Sequence, residues 1–268
     1  MGEEAAVAEV LALEIVTPHG TLRPRLRLPP RPMRLAELAA SFMGFSDHIV
    51  RLAVAAEEKQ GKRVTCAAGC GACCRQLVPL SPPEAWMVAD VVAALRPEER
   101  AGVLDRFADA RAAIEAARLD ELFAAGRATA EEVTLASAFY FQAGKACPFL
   151  VDESCSIHAT RPSICREYLV TSPAERCADL FQIGKPAVDR ISVGVRLSEG
   201  LSRLAAKLLD RPMEVVPLVQ ALDWADRHRE EGALRWPPRL LIEGLVAALS
   251  EKPEAPSDRV NQKVEPGS

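Results

Sequence analysis

The sequence of 268 residues lacks the features that mark several classes of protein. It has no long block of charge of one sign, and its formal net charge is only −4. We therefore expect it to bind neither nucleic acid nor a membrane surface. Its first residues, MGEEAAVAEVLALEIV, lack the basic segment of a secretory signal, and no segment approaches the apolar length needed to span a bilayer. These absences predict a soluble, cytoplasmic protein.

Several common catalytic motifs are also absent. The chain contains no glycine-rich phosphate-binding loop, no G-x-S-x-G nucleophile motif and no H-E-x-x-H zinc motif. It shows neither an internal repeat nor an alternation of strands and helices, which would be typical of a parallel α/β enzyme. Function must therefore be inferred from other residues.

Apolar residues recur at helical spacing over most of the chain. Between residues 35 and 56 they step alternately by three and four, which predicts a helix of about seven turns. Ser81-Pro82-Pro83-Glu84 is a capping box with proline at the first helical position, and it predicts a helix that runs to about Leu95. Further helices are predicted over residues 97–126, 129–144, 201–209, 215–229 and 240–249.

Composition divides the chain into three parts. Residues 1–33 are rich in proline and predict an N-terminal extension, with a short hairpin around Pro18-His19-Gly20. Residues 34–250 predict a single, mainly α-helical domain of irregular architecture, built around a cysteine-ligated metal site. Residues 251–268 are rich in proline and charge, and predict a disordered tail.

The eight cysteines form two groups, separated by the three helices predicted between residues 82 and 144. The first group lies in TCAAGCGACC and has the spacing C-x3-C-x2-C-C: Cys66, Cys70, Cys73 and Cys74. Because cytoplasmic thiols stay reduced, metal ligands explain these cysteines better than a disulfide framework does. Free cysteines that only pack as small hydrophobes are not expected to cluster so densely. Gly69 and Gly71 favour a tight loop whose backbone N–H groups can point at sulfur.

The second group lies in CPFLVDESCSIHATRPSICREYL and in a cysteine further on: Cys147, Cys155, Cys165 and Cys177. Arg161 and Arg166 flank Cys165, and we expect their charges to lower thiol pKa values and to offset an anionic metal–thiolate centre. The ordinary alternative is that they form surface salt bridges. His158 is a minor candidate for a ligand in a mixed site.

These motifs together resemble the YkgJ-type cysteine-cluster family, a zinc- or iron-chelating domain. The resemblance rests on CAAGCGACC, CPFL, CSIHATRPSICREYL and the final Cys177, and it covers residues 66–180. All eight cysteines have a place in the family pattern, as do Ile157, Arg161, Pro162 and Arg166, whereas His158 stands where tyrosine is usual. The resemblance implies a metal site and does not define a reaction.

The residues leave the metal and its nuclearity open. Eight thiolates can form two four-ligand sites, or one cluster with spare cysteines. Zinc sites often use C-x2-C pairs, a spacing that only Cys70 and Cys73 have. The adjacent Cys73 and Cys74 can hardly bind one tetrahedral ion, so they bridge two metals or leave one thiol free. A [4Fe–4S] cluster also takes four cysteines, so the expected cofactor is zinc or iron.

Three functions are compatible with such a site. We favour a metal-binding protein whose metal organises the fold or is carried by it. An alternative is an iron–sulfur oxidoreductase or a protein-modifying enzyme, since some protein lysine methylases carry a similar cysteine motif. The third is an interaction module, in which metal stabilises the core and the outer helices bind a protein partner.

Two narrower catalytic hypotheses are weaker. Cys66, Cys70 and Cys73 share the C-x3-C-x2-C spacing of radical-SAM enzymes, but Ala72 stands where those enzymes usually have an aromatic residue. Their strand–helix barrel is not predicted here either. A nucleophilic pair of Cys155 and His158 is conceivable, although a cysteine in a dense thiol cluster is better explained as a ligand.

Overall fold

The computed structural model describes residues 9–116, 119, 130–181 and 188–251. Its helices are α1 (Leu35–Lys59), α2 (Pro82–Ala94), α3 (Pro97–Ala116), α4 (Ala130–Gln142), α5 (Ser163–Glu167), α6 (Leu197–Leu208), α7 (Ala221–Arg227), α8 (Arg229–Ala233) and α9 (Pro238–Ser250). Short 3₁₀ turns cover Ala72–Arg75, His158–Thr160, Ala174–Asp179 and Leu218–Gln220. The prediction of a mainly α, irregular fold is confirmed.

Short antiparallel strand pairs complete the regular structure of the described residues. Near the N-terminus, β1 (Val10–Ala12) pairs with β4 (Arg25–Arg27), and β2 (Ile15–Thr17) pairs with β3 (Gly20–Leu22). Further along the chain, β5 (Pro79–Leu80) pairs with β8 (Val216–Pro217), and β6 (Leu150–Val151) pairs with β7 (Ser154–Cys155). The β6–β7 hairpin brings Cys155 to the edge of the helical core.

The core lies mainly between α1, α2 and α6. The apolar stripe predicted for α1 is buried, and Leu38, Ile49 and Ala53 are 0% exposed. This stripe packs against α2 and α6, and α9 covers α6. The rings of Trp86 and Trp224 lie 5.0 Å apart and join α2 to α7. These helices form the framework on which the cysteine-bearing segments lie.

Helix α1 is also long and apolar enough to cross a membrane, by length and composition alone. It has 25 residues, and the mean hydropathy of its most apolar 18-residue window is 1.2. The expectation that no segment approaches such a length is therefore wrong for α1. In the structure its apolar face contacts α2 and α6, which is the arrangement of a core helix.

Helix boundaries agree with the sequence patterns where local capping determines them. Ser81 Oγ accepts a hydrogen bond from the Glu84 backbone N–H, and α2 ends at Ala94, as the capping box predicts. The single helix predicted over residues 215–229 is wrong, because Leu218 N donates to Val78 O at 2.8 Å and extends the contact between β5 and β8.

The predicted boundaries at Gly126 and Thr129, and residues 252–268 of the predicted tail, lie outside the described residues. The division of the chain into three parts stays a prediction.

The carboxylate of Glu84 connects three helices. Its side chain is 0% exposed. Oε2 accepts a hydrogen bond at 2.7 Å from the hydroxyl of Ser81, which precedes α2. It accepts another at 2.6 Å from the hydroxyl of Ser198, in α6. Oε1 accepts from the backbone N–H and the hydroxyl of Ser163, at 2.9 and 2.7 Å, at the start of α5. Because α5 carries Cys165, this buried carboxylate fixes the position of that cysteine relative to the core.

We expect Glu84→Gln to lower the free energy of unfolding by about 2–4 kcal/mol, since the amide NH₂ would face groups that now donate to a carboxylate. Urea denaturation of the purified protein measures the change. Glu58→Gln, at an exposed position of α1, is the matched control and should change stability by less than about 0.5 kcal/mol. Equal effects of the two substitutions would contradict the proposed role of Glu84.

Candidate metal centre

The first cysteine group lies in an irregular segment after α1. Gly69 has a φ angle of +82°, a conformation that glycine adopts without steric cost, and this agrees with the predicted tight loop. The next residues form the 3₁₀ turn Ala72–Arg75, in which Cys74 N donates to Gly71 O at 3.0 Å. Cys73 and Cys74 therefore occupy consecutive positions of one tight turn.

The four later cysteines approach this segment from different elements. Cys147 precedes β6, Cys155 lies in β7, Cys165 lies in α5, and Cys177 lies in the 3₁₀ turn Ala174–Asp179. The backbone N–H of Cys147 donates to the carbonyl of Cys74 at 2.6 Å. The turn Ala72–Arg75 also packs directly against the turn Ala174–Asp179. The structure thus brings together two cysteine groups that are far apart in sequence.

An ion pair and a close backbone approach hold the β6–β7 hairpin on the first group. Arg75 donates to both carboxylate oxygens of Glu153, at 2.6 and 3.0 Å. A Cβ atom on Gly71 would lie 2.4 Å from Glu153 Oε2 and 3.0 Å from Leu150 Cδ1. Leu150 is the strand partner of Cys155. The absence of a side chain at Gly71 therefore leaves room for Glu153 and Leu150 of the hairpin that carries Cys155.

Thr65 fixes the start of the first group to the segment that leads to Cys177. Its backbone N–H donates to Val170 O at 3.0 Å, and its hydroxyl donates to Ser172 O at 2.6 Å. Cys66 follows Thr65 directly, so these bonds hold it close to the later segment. All eight cysteines are free thiols; Cys177 is buried, and the others are half-buried.

Burial and mutual proximity change the ionisation of the thiols. Burial raises the pKa of Cys66, Cys147 (to about 12), Cys155, Cys165 and Cys177 (to about 11). A hydrogen bond between the side chains of Cys73 and Cys74 lowers the pKa of Cys73 and raises that of Cys74. Thiols with raised pKa values carry protons at neutral pH, so a bound metal must displace those protons.

Both predicted arginines lie near the thiols, in different roles. The charge of Arg161 contributes to lowering the pKa of Cys73 and opposes the rise in the pKa of Cys155. Its Nε is buried and has no hydrogen-bond partner within the described residues. Arg166 instead donates to both carboxylate oxygens of Asp47, at 2.8 Å each, and to the carbonyl of Arg161 at 2.9 Å. It therefore holds the loop before α5 against α1, and its guanidinium is already paired.

Two further arginines approach the thiols and were not predicted. Arg75 follows Cys74 directly, and the charge of Cys74 contributes to raising the pKa of Arg75. Arg106 of α3 opposes the rise in the pKa of Cys147 and donates from Nε to Pro148 O at 2.6 Å. Adjacency to a cysteine could have indicated Arg75. No sequence signal connects Arg106 with Cys147, because they meet only through tertiary packing.

Tyr140 and His158 differ in their relation to the thiols. The Tyr140 hydroxyl, on α4, is buried without a hydrogen-bond partner within the described residues. Burial and the charge of Cys147 raise the pKa of this phenol. His158 is exposed, and the charge of Arg161 lowers its pKa. Tyr140 therefore faces the thiol region from inside the fold, whereas His158 lies at the surface.

The donor set fits a thiolate-bound metal. Among the described residues, no three His, Cys, Asp or Glu side chains already stand in an arrangement that could hold a metal ion. The eight gathered thiols are nevertheless the soft ligands that zinc and iron–sulfur centres take. Arg161 Nε and the Tyr140 hydroxyl are buried donors, and a negatively charged centre would give them the partner they lack.

The close approach at Gly71 leads to a test of this assembly. We expect Gly71→Ala to lower the free energy of unfolding by about 1 kcal/mol, because its Cβ would displace Glu153 and Leu150. Gly44→Ala, on α1 where a Cβ meets no atom within 4 Å, should instead raise it by about 0.5–1 kcal/mol. Thermal or urea unfolding measures both; stabilisation by Gly71→Ala would show that the hairpin does not require this contact.

A comparison with known protein families agrees with the donor set. Residues 65–183 match the model of the family described as "CxxCxxCC: Putative zinc- or iron-chelating domain". No curated protein and no solved structure matches the chain. The matched residues include all eight cysteines as well as Arg161 and Arg166. Residues 65–183, the part of the chain that carries the cysteine motif, are therefore similar to this family of zinc- or iron-chelating domains.

Proposed function

We propose that this protein binds zinc or iron through thiolates of both cysteine groups, and that the metal organises the domain or is carried by it. The observation that carries the proposal is the contact between the two groups, where Cys147 N donates to Cys74 O at 2.6 Å. Packing alone does not require eight free thiols to gather at one place in a domain that already has a large apolar core.

The ligands that we propose are the eight thiolates: Cys66, Cys70, Cys73, Cys74, Cys147, Cys155, Cys165 and Cys177. A bound zinc ion would cross-link segments that otherwise meet through few hydrogen bonds, and an iron–sulfur cluster would add electron transfer. A reducing, cytoplasmic compartment would keep such thiols available to bind metal, and we propose that location.

Arginines would compensate the charge of the centre. Four thiolates outweigh a divalent cation, so a tetrathiolate site carries net negative charge. Arg161 is the best placed to respond, because its Nε is buried and lacks a partner within the described residues. Arg166 would act indirectly, by fixing the carbonyl of Arg161 and the loop that contains it.

Partial exposure of the thiols favours a second candidate function. Seven of the eight cysteines are half-buried, so the centre would lie near the surface. An iron–sulfur oxidoreductase or a protein-modifying enzyme needs such access for an electron donor or a protein substrate. Iron with acid-labile sulfide would favour this candidate, whereas zinc would favour a structural or carrier role.

Metal content tests the proposal directly. We expect protein purified without oxygen to contain zinc, or iron with sulfide, when measured by elemental analysis and visible absorption. Removing the metal with a chelator should lower the free energy of unfolding by about 3–5 kcal/mol, the contribution of a ligand present in large excess over its dissociation constant. Cys70→Ser should lose metal and stability, whereas Ala68→Ser, an exposed position in the same segment, should lose neither. Full metal content in Cys70→Ser would remove Cys70 from the ligand set, and a wild-type protein that binds no metal would refute the function.

The role of Arg161 leads to a separate test. We expect Arg161→Met to weaken metal binding by about 10–100-fold, the usual cost of removing a group that supports the ligands. Competition with a chromophoric chelator measures the affinity. Arg51→Met, on the exposed side of α1, is the control and should leave affinity unchanged. If Arg161→Met instead reduced the stability of the metal-free protein without changing affinity, its role would be structural.

A further inference from the structure

The contacts between the segments that carry them suggest a division of the eight cysteines into two sets of four. We call Cys66, Cys70, Cys73 and Cys177 the first quartet, and Cys74, Cys147, Cys155 and Cys165 the second quartet. Within the first quartet, the charges of Cys66, Cys70 and Cys73 all act on Cys177. Within the second, the charges of Cys147 and Cys155 act on Cys165. Cys73 also influences the second quartet, so it lies at the boundary between the two sets.

Contacts between segments hold three members of the first quartet, Cys66, Cys73 and Cys177, near one another. The hydrogen bonds of Thr65 to Val170 and Ser172 hold Cys66 beside the later segment. The turn that contains Cys73 packs on the turn that contains Cys177. These contacts involve neither the β6–β7 hairpin nor α5.

A separate set of contacts holds the second quartet. Cys147 N donates to Cys74 O, and Leu150 N donates to Cys147 O at 2.9 Å, which starts the hairpin that carries Cys155. Cys165 belongs to α5, whose first residue is bound by the buried carboxylate of Glu84. Cys147 and Cys155 also pack against the main apolar core. The second quartet is therefore built into the helical framework more firmly than the first.

The consecutive cysteines Cys73 and Cys74 explain why there are two sets. In a 3₁₀ turn with three residues per turn, consecutive side chains point about 120° apart. The side chains of Cys73 and Cys74 therefore leave the turn in different directions. Each can therefore serve one of two adjacent tetrahedral centres, whereas both could bind a single ion only with strain.

We propose that the protein holds two adjacent metal centres, one bound by Cys66, Cys70, Cys73 and Cys177, and the other by Cys74, Cys147, Cys155 and Cys165. This inference rests on the proposed metal-binding function and adds the number of centres and the division of ligands between them. Each quartet supplies the four thiolates that a tetrahedral zinc ion or one iron–sulfur cluster needs.

Cobalt binding to the metal-free, full-length protein tests this division. We expect Co²⁺ titration without oxygen to give two equivalents per chain, both with the absorption of tetrahedral thiolate sites, and native mass spectrometry to show two bound ions. Cys177→Ser should lose the first centre and retain one ion. Cys155→Ser should lose the second centre and also retain one ion, and the double variant should retain none.

The outcomes separate this inference from the function on which it rests. One equivalent of Co²⁺ in the wild-type protein, or the same residual site in both single variants, would overturn the two-centre arrangement and leave metal binding intact. A wild-type protein that bound no Co²⁺, zinc or iron would refute both. Circular dichroism of the metal-free variants controls for folding. If Cys155→Ser fails to fold, the number of ions bound by the wild-type protein and by Cys177→Ser still tests the two-centre arrangement.

Discussion

The hydrogen bond from the Cys147 backbone to the carbonyl of Cys74 joins two halves of the cysteine motif that have no local reason to meet. The other contacts of the site agree with it. The hairpin after Cys147 lies close against Gly71, which has no side chain, and Arg75 and Glu153 pair across the same junction. Sulfur chemistry at this place therefore depends on backbone contacts as well as on the thiols themselves.

The helical framework holds these segments through a small number of buried polar groups. Glu84 binds the start of α5, and Arg166 binds both Asp47 of α1 and the loop before α5. Both side chains are less than a tenth exposed, so each must satisfy its charge within the protein. This requirement fixes α5, and thereby Cys165, with little freedom. The domain combines an ordinary apolar core with a polar layer that determines where the thiols lie.

Much of the fold could be predicted because its signals are local. The stripe of α1, the capping box at Ser81 and the tight loop at Gly69 each arise from a few neighbouring residues. Residues 215–229 were predicted wrongly because the strand pairing of Val216 with Leu80 is a distant contact that competes with helical periodicity. For the same reason, motif spacing indicated the eight cysteines and the family they resemble. The positions of Arg106 and Tyr140 near the thiols, and the division into quartets that we propose, required the tertiary structure.

The separation of the two cysteine groups has a consequence for biosynthesis. About 70 residues, including α2 and α3, lie between Cys74 and Cys147, and a ribosome adds roughly 5–20 residues per second. The early thiols therefore emerge from the ribosome several seconds before their later partners. During that interval the nascent chain exposes a dense, incomplete set of sulfurs to cellular metals and oxidants. Rapid formation of the α1–α2 core would limit this vulnerable period, since it places the early segment where the later one will join it.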